Sequence, residues 1–376
     1  MQLIINTQSL QTALTIICSN LKRNLQPAIL NNVLLEARKN EFKLTTFDGS
    51  QLVCLTLEVQ VLKDAQITVC AWDLKNLVEK IKNDAIEILL HKDQLIIKSD
   101  SVTICLNTIL ADEFITLPEL ESESTSIKLK PENLLAGIEQ TLHCASKELS
   151  KQILTGINLK LVRENKRQLL KFCATDAHQL AALETEVDLD NTAKEFELII
   201  QSKTMNLLIT LLKANYSSII TLTFDETLVE FSTDKFVLTC NQILGNYPQY
   251  EKLIPGEFEI QAIVDRQQMI KNLTLVNSVA QDNLVSITIS PKQQQINIQA
   301  KTPGIANGNQ TQSGYLLGNI QAQTITLNHD YLLKSLKSLP GSEVKILINQ
   351  PNQPIEIQNL VPEPAQHIIM PVQVRK

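Results

Sequence analysis

SIKLKPENLLAGIEQTL (126–142) carries the signals that decide the fold. Ile127 and Leu129 alternate with Ser126, Lys128 and Lys130, the period of a half-buried β-strand. Pro131 then stands where a first helical turn tolerates its missing N–H. Beyond it, apolar residues recur at spacings of three and four, the signature of an amphipathic helix.

The same shape recurs five more times. QLIINTQSLQTALTIICSNL (2–21) places Leu10, Leu14, Ile17 and Leu21 on one helical face. ITVCAWDLKNLVEKI (67–81) does so with Leu74, Leu77, Val78 and Ile81. FELIIQSKTMNLLITLL (196–212), FEIQAIVDRQQMIKNLTLV (258–276) and TITLNHDYLLKSLKSL (324–339) complete the set. With the polar breaks at Gln8, Trp72, Lys130, Ser202, Asp265 and Asn328, the intervals are 64, 58, 72, 63 and 63 residues. Strand-like runs joined by turn residues follow each helix, as in NVLLEA–RKN–EFKLTTFD. The chain is therefore α+β, built of six strand–helix–strands units.

A unit of about 60 residues is too small for a comfortable core. Paired, the units predict three tandem similar domains at 1–122, 123–250 and 251–376. LPELESESTS (117–126) and NYPQYEKLIPGE (246–257) are the natural linkers, and GIANGNQTQSG (304–314) reads as a polar loop.

Composition narrows the function classes. Among 376 residues, 44% are hydrophobic, 20% charged and only 4% aromatic, a globular composition with cores of Leu, Ile and Val. No apolar run approaches the ~18 residues that cross a bilayer. MQLIINTQSL lacks the basic start and long apolar stretch of a secretion signal, which predicts a cytoplasmic protein. Seven dispersed cysteines, never spaced C-x-x-C, read as small core residues in a reducing compartment. The five histidines include no H-x-x-x-H pair, and the glycines form no phosphate-cradling loop, so neither metal nor cofactor is expected.

FCATDAHQLA (172–181) raises the one enzymatic possibility. Asp176 and His178 alternate, and a carboxylate that orients an imidazole makes a general base. The bland alternative is a carboxylate bonding local backbone at a turn, which the missing third group favours. Cys173 is out of phase with His178, which argues against a Cys–His pair.

The net charge of −6 argues against a simple nucleic-acid binder. Its distribution is less discouraging. Side-chain charge on the helical stretches 8–23, 73–82, 131–151, 202–215, 265–277 and 329–338 totals +6, leaving −12 elsewhere. Basic helices facing one way would hold DNA through weak, sequence-independent contacts. This count supplies Lys22, Lys80, Lys203, Lys213, Lys271 and Lys334 as candidate phosphate contacts.

Arg23, Pro27, Ile29, Leu30 and Asn32 form R-x-x-x-P followed by I-L-x-N, and TTFD stands at 45–48. CATDAHQLA (173–181), GNYPQYEKLIP (245–255) and the ending HIIMPVQVRK (367–376) follow in order. Together these pieces resemble, over essentially the whole chain, the bacterial DNA sliding clamp, the beta subunit of DNA polymerase III. Ala177 and Gln179 stand where that family usually has Gly and Arg, Gln373 replaces a common Arg, and Trp72–Asp73 replace a basic pair.

The resemblance implies a head-to-tail homodimer closing a six-domain ring, helices lining the hole and antiparallel sheets outside. Its function would be processivity, with no catalytic site. The implied partners are duplex DNA, the polymerase III catalytic subunit, an ATP-driven clamp loader, and other polymerases and repair proteins carrying clamp-binding peptides. The implied peptide pocket comprises Leu154, Thr175, Ala177, His178, Gln179, Leu180, Pro248, Lys252, Leu253, Ile368, Ile369, Met370, Pro371 and Val372. Family position adds Arg23 and Lys147 to the DNA contacts, and places Ile104, Leu106 and Val276 at the dimer interface. Met370 suits a surface that must fit several peptides, and an exposed apolar chain end marks a binding site. A hydrolase built on Asp176 and His178, and a repeat scaffold that never encircles DNA, remain the rival readings.

Overall fold

The computed structural model describes every residue except 101, 190–193, 216, 281, 303–305, 319–320, 362–363 and 374–376. All six repeats are present. The first is β1 (Gln2–Asn6), α1 (Thr7–Ser19), β2 (Asn32–Arg38), β3 (Glu41–Phe47), β4 (Gln51–Glu58) and β5 (Gln60–Lys63). The second is β6 (Ala65–Cys70), α2 (Ala71–Val78), β7 (Ala85–His91), β8 (Gln94–Ser99) and β9 (Val102–Asn107). The third is β10 (Thr125–Leu129), α3 (Pro131–Thr141), β11 (Gly156–Glu164), β12 (Arg167–Thr175) and β13 (Gln179–Glu186). The fourth is β14 (Phe196–Gln201), α4 (Ser202–Ala214), β15 (Ile220–Phe224), β16 (Leu228–Ser232) and β17 (Phe236–Asn241). The fifth is β18 (Ile260–Asp265), α5 (Arg266–Asn277), β19 (Leu284–Ser290), β20 (Gln295–Thr302), β21 (Ala306–Ser313) and β22 (Tyr315–Leu317). The sixth is β23 (Gln323–Asn328), α6 (His329–Ser338), β24 (Glu343–Ile348), β25 (Ile355–Asn359) and β26 (Gln366–Ile369).

Two of the polar breaks, Asp265 and Asn328, act as helix caps, and Asn6, two residues before the break at Gln8, caps α1. Asn6 accepts from the Ser9 N–H at 3.0 Å, Asp265 from Gln268 at 2.6 Å, and Asn328 from Asp330 and Tyr331 at 2.9 and 3.2 Å. Each satisfies donors that a helix start leaves unpaired. The apolar stripes then turn inward: Leu10, Leu14 and Ile17 of α1 and Leu74 and Val78 of α2 are buried.

Among the described residues four antiparallel sheets result, distributed over two compact units. Residues 1–132 and 203–242 hold a five-stranded sheet, β5-β1-β7-β8-β9, and an eight-stranded one, β10-β15-β16-β17-β4-β3-β2-β6. Residues 133–202 and 243–376 hold a nine-stranded sheet, β14-β11-β12-β13-β26-β25-β24-β18-β22, and a four-stranded one, β21-β20-β19-β23. The two large sheets each join strands of distant repeats. In one, β17 pairs β4 from Phe236↔Leu55 to Cys240↔Gln51. In the other, β13 pairs β26 from Gln179↔Ile369 to Ala182↔Gln366.

Two expectations change. The helices are shorter than their apolar stripes suggest, because α1 ends before Lys22 and Arg23, α2 before Lys80, and α3 before Lys147. As built, α4 and α5 each carry +2, α6 carries +1, α3 carries −2, and α1 and α2 are neutral, a net +3 in place of +6. The polar stretch at 304–314 is no loop where it is described: Ala306–Ser313 is β21, paired with β20 through Gln295↔Ser313 to Thr302↔Ala306. Its amide side chains alternate outward while Gln312 is buried, so a strand period survives without apolar residues. All seven cysteines are free thiols.

Candidate functional site

Strand alternation decides which C-terminal side chains can meet a partner. Ile368 lies opposite Leu180 and joins Cys173, Ala182, Ile199, Ile243, Tyr247 and Tyr250 in one apolar cluster, with Ile153, Leu154 and Ile254 packed on it. Ile369, one residue on, points to the other side of the sheet and is fully buried among Met269, Leu332 and Ile357. Its place in the expected pocket is therefore corrected: it is a core residue, because neighbours in a strand face opposite ways. Gln179 shares that inner side. Its amide donates to Asp176 Oδ2 at 3.0 Å and to the His143 carbonyl at 3.4 Å, so it buttresses the turn and does not line the pocket.

Past Ile369 the chain is pinned but its side chains stay available. The Met370 N–H donates to the His178 carbonyl at 2.9 Å, and the Val372 N–H to Thr326 at 2.8 Å. Met370 is 44% exposed, Val372 37% and Leu253 59%, so together they offer apolar surface beside a packed cluster. Leu253 rides on the short turn Tyr250–Leu253, which buried Tyr250 anchors, and Pro248 and Lys252 are exposed beside it. Leu154 and Pro371 are half-buried. Leu180 and Ile368 are almost covered and form an aliphatic floor. The site is a shallow apolar ledge with adaptable side chains at its edge.

The Asp176–His178 pair is a turn. Asp176 Oδ1 accepts the backbone N–H groups of His178 and Gln179 at 2.8 and 3.0 Å, and Thr175 Oγ1 donates to the Gln179 carbonyl at 2.7 Å. The carboxylate is thus spent on backbone and on the Gln179 amide, and does not orient the exposed imidazole. Burial pushes the Cys173 thiol well above its ordinary range, so it is no nucleophile. Ala177 sits at φ +80°, a left-handed conformation that disfavours any Cβ. That geometry is the reason glycine suits this position.

The basic residues fall into distinct settings. Lys22 and Arg23 follow α1, Lys80 follows α2, and all three are exposed, close to helix C-termini where cations are favoured. Arg23 stands over Trp72 at 5.1 Å from the ring centroid, so the residue replacing a basic pair carries a cation on its face. Lys147, Lys213 and Lys271 are exposed, and Lys334 is half-buried. Lys203 is different. Its ammonium pairs with the nearly buried carboxylate of Asp48 and reaches the Asn20 carbonyl at 3.3 Å. Thr204 Oγ1 donates to Gln51 Oε1 at 2.6 Å, and Gln51 Nε2 to Asn20 Oδ1 at 2.6 Å, completing a lock beside the β17–β4 pairing. Lys203 is thus held by an internal partner.

Of the expected interface residues, Ile104 and Leu106 lie on β9, the terminal strand of its sheet. Opposite buried Ile97 and Leu95, they are half-buried because no strand covers them. Val276 is corrected: it continues the inward stripe Met269, Asn272 and Leu273 of α5 and is buried. Leu275, one residue earlier, is 59% exposed instead.

With this geometry in place, comparison with known proteins is direct. The descriptions "DNA polymerase III beta subunit" N-terminal, central and C-terminal domain match residues 1–118, 128–249 and 251–373 in order. The chain belongs to the DNA polymerase III beta subunit family. It is 28% identical to the beta sliding clamp of Synechococcus elongatus over 381 residues, covering all of both chains. It is 26% identical to that of Synechocystis over 396 residues, again covering both completely. Solved clamps from Bartonella birtlesii, bound to griselimycin, and from Bacillus subtilis cover both chains fully at TM-scores of 0.90 and 0.88, each 23% identical. The three-domain clamp fold is therefore that of this chain.

For a member of this family, two placements were invisible in the sequence. Tyr331 of α6 stands beside Asp176, and burial followed by that negative charge raises its phenol. His143 and His367 meet under the same turn. Leu275 stands off the α5 stripe and is exposed.

Proposed function

We infer that this sliding clamp works as a ring of two chains in head-to-tail contact that encircles duplex DNA and tethers replication proteins to it. The observation that carries the reading is the way the large sheets are joined. Both are continued across repeats by antiparallel edge pairing, β17 with β4 and β13 with β26. β9 and β21 are among the terminal strands of the described sheets, and β9 bears half-covered Ile104 and Leu106. Pairing β9 of one chain with β21 of another repeats the construction a third time and closes a ring. Leu275, on the helix packed against β21, extends that contact.

The domains span 1–122, 123–250 and 251–376, which the matched segments support. The helices face the hole, and Arg23, Lys147, Lys22, Lys80, Lys213, Lys271 and Lys334 make loose, sequence-independent phosphate contacts. Leu154, Leu253, Met370, Pro371 and Val372 over Leu180 and Ile368, flanked by Thr175, Ala177, His178, Pro248 and Lys252, receive peptide tails. The partners are the polymerase III catalytic subunit, the clamp loader, and other polymerases and repair proteins carrying such tails. The protein works in the cytoplasm as a processivity subunit without a reaction of its own, a reading supported by the use of the Asp176 carboxylate in a backbone turn. No described helix is long and apolar enough to cross a membrane.

The test is retention on DNA. Protein loaded on a closed circular plasmid should co-elute with it and be released when a restriction enzyme linearises the circle. Release at the same rate from circle and line would refute encirclement and favour a protein-binding scaffold.

A further inference from the structure

The β13–β26 seam is held on its inner side by two imidazoles. His143 belongs to the short turn Leu142–Cys144 that packs against α6, β12 and β13, and His367 lies in β26. Their ring centroids are 5.0 Å apart, with planes tilted by 41°. His367 is fully buried. Neither of its ring nitrogens, nor His143 Nδ1, makes a hydrogen bond of good geometry, although the Gln140 backbone lies near enough to His367 to favour its charged form. His143 Nε2 is 3.4 Å from Ser335 Oγ of α6 and 3.3 Å from Cys144 Sγ. Two neutral rings fill such a site by packing alone. An imidazolium would be a cation with almost no acceptor, which a buried site penalises heavily.

The charged groups around the pair do not rescue it. From the turn after β12, Asp176 favours a positive His143; from α6, Lys334 opposes it. The Gln140 backbone favours a positive His367, but His143 opposes it. Cys144 and Tyr331 stay neutral, because burial raises both. Glu356 of the neighbouring β25 pairs with Ile368, so it projects from the opposite side of the sheet, towards Gln358 and Gln366. Burial lowers His143 to about 4 and His367 well below its usual value. The β17–β4 seam is held instead by a formed ion pair, Lys203 with Asp48.

We propose that the His143–His367 pair is an acid-sensitive latch, which closes the β13–β26 seam while neutral and releases β26 with the C-terminal tail when protonated. The open form binds protons at the ordinary histidine pKa and the closed form does not. Opening is therefore suppressed above about pH 6.5, and below it each exposed histidine raises the open population about tenfold per pH unit. Release would withdraw Met370 and Val372 from the ledge. That consequence rests on reading the ledge as a partner site, whereas the latch does not.

Hydrogen exchange of the full chain tests it without any partner. Protection factors, corrected for intrinsic exchange, are compared at pH 7.5 and 5.5 for segments 178–183 and 366–372, with 284–289 and 295–300 as internal reference. The expected result is at least a tenfold loss of seam protection relative to the reference, and a much smaller loss in His143→Gln and His367→Leu. Each variant is read against its own protection at pH 7.5, so a lower baseline does not hide the pH effect. Equal losses in seam and reference, no loss at all, or an undiminished loss in both variants would overturn the latch.

Discussion

Replacing Lys203 by Met separates the two roles this residue has been given. As a phosphate contact, its loss would lower the log–log salt slope of DNA binding by about 0.9 and leave stability alone. As part of the β17–β4 lock, it would do the reverse. Removing one member of a buried ion pair costs about 3–5 kcal/mol, whereas an exposed pair contributes about 0–1 kcal/mol. Asp48 is 5% exposed and Lys203 39%, so the pair lies between these limits. After substitution Asp48 keeps the Ser50 and Gln51 N–H groups and the Ser50 hydroxyl, all at 2.9 Å. The expected loss is about 2 kcal/mol, read as a lower urea midpoint for the first unfolding transition at neutral pH. Burial works to raise the Asp48 carboxyl, but Lys203 and the turn donors hold it below the usual range. Its contribution is thus present above the ordinary carboxylate pKa and fades as pH falls through the folded value. The difference between Lys203→Met and the parent should therefore shrink in acid. An unchanged urea midpoint with a reduced salt slope would refute the lock and return Lys203 to the DNA.

Other substitutions probe the remaining assignments. Ala177→Gly should raise stability by about 1 kcal/mol in urea denaturation, since φ +80° strains a Cβ; a loss would contradict the turn geometry. Ile369→Ala should cost about 2–5 kcal/mol through a core cavity. Met370→Ala, at a position 44% exposed, should leave the midpoint nearly unchanged and weaken binding of a partner tail in fluorescence anisotropy. Equal effects of the two would mean that β26 does not alternate as described. Charge reversal at Arg23 and Lys147 should lower the salt slope of DNA binding, and an unaltered slope would remove both from the contacts.

The repeat was legible because the helices carry apolar stripes such as Leu10, Leu14 and Ile17, and α1, α5 and α6 also start from a polar cap such as Asn328. Helix ends were not, since Leu21 is buried yet lies beyond α1, and apolar periodicity does not distinguish the last turn from the segment packed after it. Seam pairing was equally hidden. Nothing local in IIMPV tells that Ile368 faces Leu180 and Ile369 the core; that follows only from the register with β13. Val276 and Leu275 show the same limit on a helix, where a shift of one residue turns an interface side chain into a core one. Lys203 and the buried histidines were unreadable for a different reason. Their partners, Asp48 and each other, lie 155 and 224 residues away in sequence.

Ring closure is the claim on which the rest depends. Small-angle X-ray scattering in line with size exclusion and light scattering tests it without DNA or partner. The account predicts the mass of two 42.1 kDa chains and the distance distribution of a hollow particle. The same measurement on Ile104→Lys and Leu275→Lys should shift the mass toward one chain. A compact one-chain particle for the unaltered protein, at low micromolar concentration, would contradict the pairing of β9 with β21.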